Sequence, residues 1–224
     1  MNNNSVTIGS ATLYLGDCMD YMATLPDNAF ELAIVDPPYG IGNFIQTTGN
    51  VRGSAVEWND AIPQKSYFAE LERVSKERII WGANYYNCFN DKGGAIVWYK
   101  QVPPESNLSE CEIASYSRLK RVAYVHLKWQ NIGRGEAMIH PCQKPVNLYE
   151  WLLTNYAKPG DRILDTHLGS MSSVIAALGM GFEITGCEKD ADYFEAGCNR
   201  VRDSKRQQPM FEPTPAKQEQ TKFF

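Results

Sequence analysis

Asp36-Pro37-Pro38-Tyr39 follows the apolar run Leu32-Ala33-Ile34-Val35, so a buried strand delivers one carboxylate, two prolines and an aromatic ring to its carboxyl end. Open α/β sheets bind ligands at that end of their strands. Two successive prolines stiffen the backbone and remove two N–H donors, which leaves the Asp36 carboxylate and the proline carbonyls as acceptors only. Such an array, beside the Tyr39 ring, suits a flat guest that bears an amino group. An ordinary proline-rich turn is the competing reading of the tetrapeptide taken alone.

A second set of residues lies downstream. Arg162-Ile163-Leu164-Asp165 reads as a strand, Gly169-Ser170 as a turn before a helix, and Glu183 to Glu188 as the next strand, so an acid ends a βαβ unit. Glu188 stands about 20 residues beyond the first strand, where an acid commonly binds ribose hydroxyls. The turn, Asp165-Thr166-His167-Leu168-Gly169-Ser170-Met171, lacks the three glycines that hold a pyrophosphate. A ligand with ribose and no phosphate is favoured, against the alternative of a plain βαβ unit. A third acid, Asp17, tips the turn after the strand Thr12 to Leu15.

These residues need elements to hold them. Apolar spacing predicts helices over Cys18 to Leu25, Lys65 to Ser75, Val146 to Ala157, from the Gly169 turn to Gly181, and over Asp190 to Arg202. Further strands are expected at Arg78 to Gly82 and Gly94 to Tyr99, and Cys111 to Tyr116 with Arg121 to His126 are expected to pair as a hairpin. Residues 41–62 read as a long mobile loop and residues 203–224 as a polar, disordered tail. Residues 1–202 then form one domain.

A chain of 224 residues buries a substantial core, contains no apolar stretch of membrane-spanning length and opens without a signal-peptide pattern, so a cytoplasmic protein is expected. Six scattered cysteines without a Cys-x-x-Cys pair argue against zinc and against a disulfide framework, and no metal is expected. The net charge of −4 speaks against an indiscriminate nucleic-acid coat. Its distribution differs, because Arg118, Lys120, Arg121, Lys128, Arg134 and Lys144 face one acid, Glu136, with Tyr124 and Trp129 interleaved. Phosphates and exposed bases call for such a mixture, so residues 117–140 are a candidate DNA-facing segment; a solvated basic surface is the alternative. Arg52 and Trp58 in the long loop, and Lys100 after its strand, are further candidates.

Asp36-Pro37-Pro38-Tyr39 ahead of an Asp165-x-x-x-Gly169-Ser170 turn and Glu188 resembles the amino-group DNA methyltransferases that use S-adenosylmethionine. The order of the motifs resembles the permuted β class, which includes small phage and prophage enzymes, and the likeness runs roughly from Ala11 to Arg200. The resemblance implies a circularly permuted, Rossmann-like α/β fold with a mostly parallel sheet and helices on both faces. Leu15-Gly16-Asp17, with Cys18, resembles the segment whose acid receives the cofactor's adenine amino group, and Gln143-Lys144-Pro145 the motif that opens the helix before the cofactor turn. Catalysis is thereby assigned to Asp36, Pro37, Pro38 and Tyr39. Cofactor binding is assigned to Asp17, Cys18, Asp36, Lys144, Asp165, His167, Gly169, Ser170 and Glu188, and DNA contact to Arg52, Arg118, Lys120, Arg121, Lys128 and Arg134.

The implied mechanism has Asp36 and the Pro37 carbonyl accept the two N–H bonds of an adenine N6 amine, so that its lone pair turns towards a sulfonium methyl group. Positioning and stabilisation of positive charge on the nitrogen carry the rate, and Tyr39 stacks on a base that is extruded or single-stranded. Cytosine N4 is the next candidate, with Asp rather than Ser before the prolines tilting the analogy to adenine. Methylation of a glutamine amide or an RNA amine is a third reading, and a catalytically silent DNA-binding or antirestriction module that keeps the fold is one of another class. His167 and Met171 stand where the family has an aromatic residue and a second glycine, and Met171 is expected to crowd the cofactor pocket or shift the turn. About a dozen residues between the Tyr124 to His126 strand and His140 are too few for a separate recognition domain, so recognition is short, relaxed or shared with a partner subunit, and a homodimer is compatible.

Overall fold

Along β3 (Phe30–Val35), Leu32 and Ile34 join one apolar cluster while Ala33 and Val35 join another, so successive side chains feed opposite faces of a sheet covered on both sides. One face is covered by α1 (Cys18–Met22), α2 (Lys65–Val74) and α3 (Ala83–Tyr86), and the other by α4 (Val146–Tyr156), α5 (Ser172–Gly179) and α6 (Ala191–Gln207). Each fully buried Leu or Ile on these faces contributes roughly 1.5–3 kcal/mol of transfer free energy. The computed structural model describes residues 4–42, 61–103, 105, 108–129 and 138–207. Arg52, Trp58 and Arg134, most of the 41–62 loop, and the tail from 208 lie outside them.

The remaining strands are β1 (Ser5–Ile8), β2 (Ala11–Leu15), β4 (Ser75–Trp81), β5 (Ala95–Tyr99), β6 (Cys111–Tyr116), β7 (Val122–His126), β8 (Arg162–Asp165) and β9 (Glu183–Glu188). Their order in the sheet is β1-β2-β9-β8-β3-β4-β6-β5-β7, and only β1 and β6 run against the rest. From the adjacent pair β8 and β3 the chain winds away in both directions, through α5 to β9 and through α2 to β4. The crevice between β8 and β3 is therefore a topological switch point, where such sheets bind ligands. The unit bearing the Gly169 turn follows the Asp36 unit in the chain yet lies beside it in the sheet, which is the permuted arrangement expected.

Two expectations are corrected. Strands β6 and β7 do not form a hairpin, because β5 lies between them, antiparallel to β6 and parallel to β7. Their connection crosses the start of β5 at Gly94, where a Cβ would collide with the Leu119 carbonyl oxygen. Helix α6 runs on to Gln207, into the segment read as tail, supported by an Arg206–Asp203 pair at 3.1 Å. The chain also begins with an unanticipated hairpin of β1 with β2, turned at Gly9 (φ +63°). Among the described residues no helix is long and apolar enough to cross a membrane.

Candidate active site

Asp36 leaves the end of β3 extended because the residue before a proline is barred from the helical region, and Pro37 is held in the same way by Pro38. The carboxylate enters a cavity of about 1360 Å³ that reaches from Asp17 and Glu188 at one end to Lys100 and Glu112 at the other. Asp36 Oδ2 lies 2.5 Å from Lys144 Nζ, and Oδ1 accepts the Tyr39 hydroxyl at 2.7 Å. Lys144 precedes Pro145, the N-cap of α4, so the same backbone rule holds it extended into the site. Its ammonium also contacts Glu112 Oε2 at 2.9 Å, and Lys100 holds Glu112 Oε1 at 3.0 Å. Side-chain exposures of 15 % for Asp36, 19 % for Glu112, 5 % for Lys144 and 9 % for Lys100 place two carboxylates and two lysines in one buried cluster.

Burial pushes the Asp36 carboxyl above the usual carboxylate value, with Lys144 pulling it back and Glu112 adding to the rise. Burial also acts upward on Glu112, but Lys144 and Lys100 outweigh it and leave that carboxyl at about 2. Lys144 is stripped of solvent, yet Asp36 and Glu112 hold it above the ordinary lysine value. Its ammonium lies 5.6 Å from the centroid of the Tyr39 ring and 5.5 Å from that of Trp81.

Tyr39 stacks on Tyr85 with ring centroids 4.8 Å apart and planes at 18°. Gly82, in the left-handed region at φ +76°, caps α3 and makes the room, since a Cβ there would lie 2.5 Å from the Tyr39 ring. From the same short helix the Tyr86 hydroxyl reaches the carbonyls of Pro37 at 2.5 Å and Pro38 at 2.9 Å. The proline carbonyls thus act as acceptors, and each keeps a second lone pair beside the Tyr86 hydroxyl.

At the other end Asp17 caps α1, accepting the Met19 N–H at 2.9 Å, and this bond more than any other holds its carboxyl below the ordinary value. Glu188 accepts the Gly169 N–H at 2.8 Å on one oxygen and the Asp190 N–H at 2.9 Å on the other, which ties the turn to the end of β9 and leaves lone pairs for hydroxyls. Burial lowers His140 and His167 to about 4, so both line the cavity as neutral rings, packed edge-on against Tyr193 and Tyr67.

These residues fit the cofactor that the resemblance implies. Glu188 offers acceptors for ribose hydroxyls, Asp17 one for an amine, and Gly169 keeps the turn free of a side chain. Met171 does not crowd them. It takes a left-handed φ of +59° at the N-cap of α5, and its fully buried side chain packs over Gly197 of α6 rather than lining the cavity.

A family profile described as DNA methylase, of the N6/N4 methyltransferase type, matches residues 76–199, just over half of the chain. The chain belongs to the N6/N4 DNA methylases. YubD of Escherichia coli (strain K12), named as a methylase, is 26% identical over 203 residues, covering 83% of this chain and 88% of that one. Among solved structures, the PvuII cytosine-N4-specific DNA methyltransferase aligns with a TM-score of 0.62 at 11% identity, over 89% of this chain and 93% of that one. M1.HpyAVI in complex with SAM aligns with a TM-score of 0.54 at 18% identity, over 85% and 99%. TTHA0409 of Thermus thermophilus, named as a DNA modification methylase and complexed with S-adenosyl-L-methionine, gives 0.52 at 18%, over 89% and 96%. At these identities the structures show the fold alone.

In this methylase the cavity gathers Asp36, Pro37, Pro38, Tyr39, Asp17, Cys18, Lys144, His167, Gly169, Ser170 and Glu188. Two residues lie apart from the cofactor end. Lys144 lies against the Asp36 and Glu112 carboxylates rather than beside Asp17 and Glu188, because Pro145 and α4 start it beside β3. Asp165 is buried inside its own turn, with its oxygens accepting the His167 N–H at 3.0 Å and the Ser173 hydroxyl at 2.5 Å, so it shapes the turn without lining the cavity. The exposed Arg118, Lys120 and Arg121 lie in the β6–β7 connection at the amino edge of the parallel strands, away from the cavity, with Arg118 paired to Glu77. Lys128 follows β7 on the cavity side. Sequence reasoning missed Glu112, Tyr85, Tyr86 and His140. Only Tyr85-Tyr86, three residues after the glycine that follows a strand, offered a local signal.

Proposed function

We propose that this DNA methylase transfers a methyl group from S-adenosylmethionine to the N6 amine of adenine. The observation that carries the reading is the continuity of one cavity from the Glu188 and Asp17 carboxylates to Asp36 and the Pro37 carbonyl at the switch point between β8 and β3. Glu188 and Asp17 would hold the ribose and adenine of the cofactor, with the Gly169 turn giving backbone room. Bound there, S-adenosylmethionine supplies an electrophilic methyl group. Asp36 accepts one N–H of the target amine and the Pro37 carbonyl the other, which directs the nitrogen lone pair out of the base plane. Tyr39 offers its ring face to the base, and the Asp36 carboxylate stabilises the positive charge that develops on nitrogen.

Asp ahead of the two prolines favours adenine by analogy, while the likeness to a cytosine-N4-specific enzyme is one of fold. The silent-module reading loses its ground, since Met171 leaves the turn unobstructed. Short recognition elements also favour a homodimer that shares the DNA between two copies. The test is mass spectrometry of nucleosides from DNA incubated with the purified protein and S-adenosylmethionine. N6-methyladenine is expected; N4-methylcytosine would move the target to cytosine, and no methylated base would overturn the reading.

A further inference from the structure

Each oxygen of the Asp36 carboxylate already accepts one donor from the chain itself, Oδ2 from Lys144 at 2.5 Å and Oδ1 from the Tyr39 hydroxyl at 2.7 Å. Lone pairs remain on both oxygens, but an arriving amine N–H competes there with an ammonium and a hydroxyl, and it is accepted more strongly if those donors have another acceptor at hand, because a buried ammonium or hydroxyl left unpaired is costly. Glu112, near the start of β6, is already in place. Its Oε2 lies 2.9 Å from Lys144 Nζ and 3.2 Å from the Tyr39 hydroxyl, and its Oε1 is anchored by Lys100 at 3.0 Å. A hydroxyl carries one proton, so Tyr39 donates to Asp36 or to Glu112 and not to both. None of the motifs that mark the family contains Glu112.

We infer that Glu112 is a positioning residue for methyl transfer: it receives Lys144 and the Tyr39 hydroxyl from Asp36 as the target amine arrives, freeing an Asp36 oxygen to accept an N–H. The inference rests on the amino-methyl transfer proposed above. Only hydrogen bonds and ion contacts exchange in this step, and the pairing of two carboxylates with two lysines is preserved throughout. Asp36 also faces Tyr86 from α3, Cys142 from the segment before α4, Tyr149 from α4 and Asp165 from β8. These four neighbours act on Asp36 only through charge and are left in place by the variants below, whereas the share of Lys144 held by Asp36 is not.

The test is Glu112→Gln in the full chain, read by carbon-13 NMR of the Asp36 carboxyl, with the resonance assigned by its loss in Asp36→Asn. Without the Glu112 charge Lys144 belongs to Asp36 alone, so the proton affinity of Asp36 falls about tenfold. The kcat for methyl transfer falls about tenfold or more while the KM for DNA changes little. Glu112→Asp, which keeps the charge, restores most of both. Lys100→Met strips the anchor from Glu112, gives it a larger share of Lys144 and raises the proton affinity of Asp36, a change of opposite sign that also serves if Glu112→Gln fails to fold. An unchanged Asp36 titration in either variant, or wild-type kcat in a folded Glu112→Gln protein, overturns the inference. The titration needs no turnover, so an absence of methylated bases with the wild-type protein sinks the proposed function separately.

Discussion

At the scale of single residues, Tyr39 has two separable duties: its hydroxyl donates to Asp36 at 2.7 Å, and its ring stacks on Tyr85. The two are of similar size but act on different steps, because stacking on a base, worth about 1–3 kcal/mol, holds the DNA, while the hydrogen bond to a charged group, worth about 1.5–3 kcal/mol, lies within the chain. Tyr39→Phe should lower kcat by about tenfold or less with KM for DNA nearly unchanged, whereas Tyr39→Ala should raise that KM about tenfold or more. Steady-state kinetics with a short duplex checks both, and equal effects of the two variants would refute the division. Asp36, Asp17, Gly169 and Glu188 were legible in the sequence because each ends a strand or follows one whose apolar run announces it. Glu112 was not legible, since its partners Lys100 and Lys144 are remote in sequence or lie on another element, and their meeting depends on strand order.

At the scale of elements, a glycine sets the position of the Tyr39 ring. Gly82 adopts φ +76°, and a Cβ there would lie 2.5 Å from the Tyr39 ring. Gly82→Ala should therefore destabilise the fold by about 1–3 kcal/mol through strain and crowding, and should cost transfer activity by displacing Tyr39. Denaturant melts paired with kinetics test this, and an unperturbed melt with full activity would contradict it. Periodicity identified most helices and strands, but the β6 to β7 hairpin expectation failed for a physical reason. A run of alternating residues states that a strand exists and does not name its neighbour. Here Gly94 lets the connection pass over the start of β5, which takes the place between them. Met171 teaches the same lesson, since its side chain found space over Gly197, a residue 26 positions away that only the packing of α6 on the turn brings close.

At the scale of the whole molecule, the candidate site lies at the carboxyl edge of the parallel strands while Arg118, Lys120 and Arg121 lie at the amino edge, because charge counted along a sequence ignores which edge a turn occupies. The cavity also sets an acid response. His140 and His167 are held at about 4 against an ordinary value of 6.5, so the folded protein refuses protons that the unfolded chain accepts. The stability they contribute is complete above 6.5 and is lost as pH falls from there towards 4, by on the order of 1–3 kcal/mol for each ring. Asp165, raised to about 7, acts in the opposite sense: its contribution is complete below 3.8 and is lost as pH rises to about 7. The raised Asp36 and Glu188 carboxyls act in the same sense as Asp165. A His140→Gln, His167→Gln double variant isolates the histidines, and its urea midpoint should lose less than wild type between pH 7 and pH 5. Identical losses would contradict that assignment.

The claim on which everything else depends is that Asp36 serves the target amine and not the fold or the cofactor. The direct measurement is methyl transfer to DNA by Asp36→Ala, with S-adenosylmethionine binding followed by calorimetry on the same preparation. Transfer should fall by at least about a thousandfold while cofactor affinity stays within a few-fold of wild type. Full transfer activity in the folded variant would contradict the account.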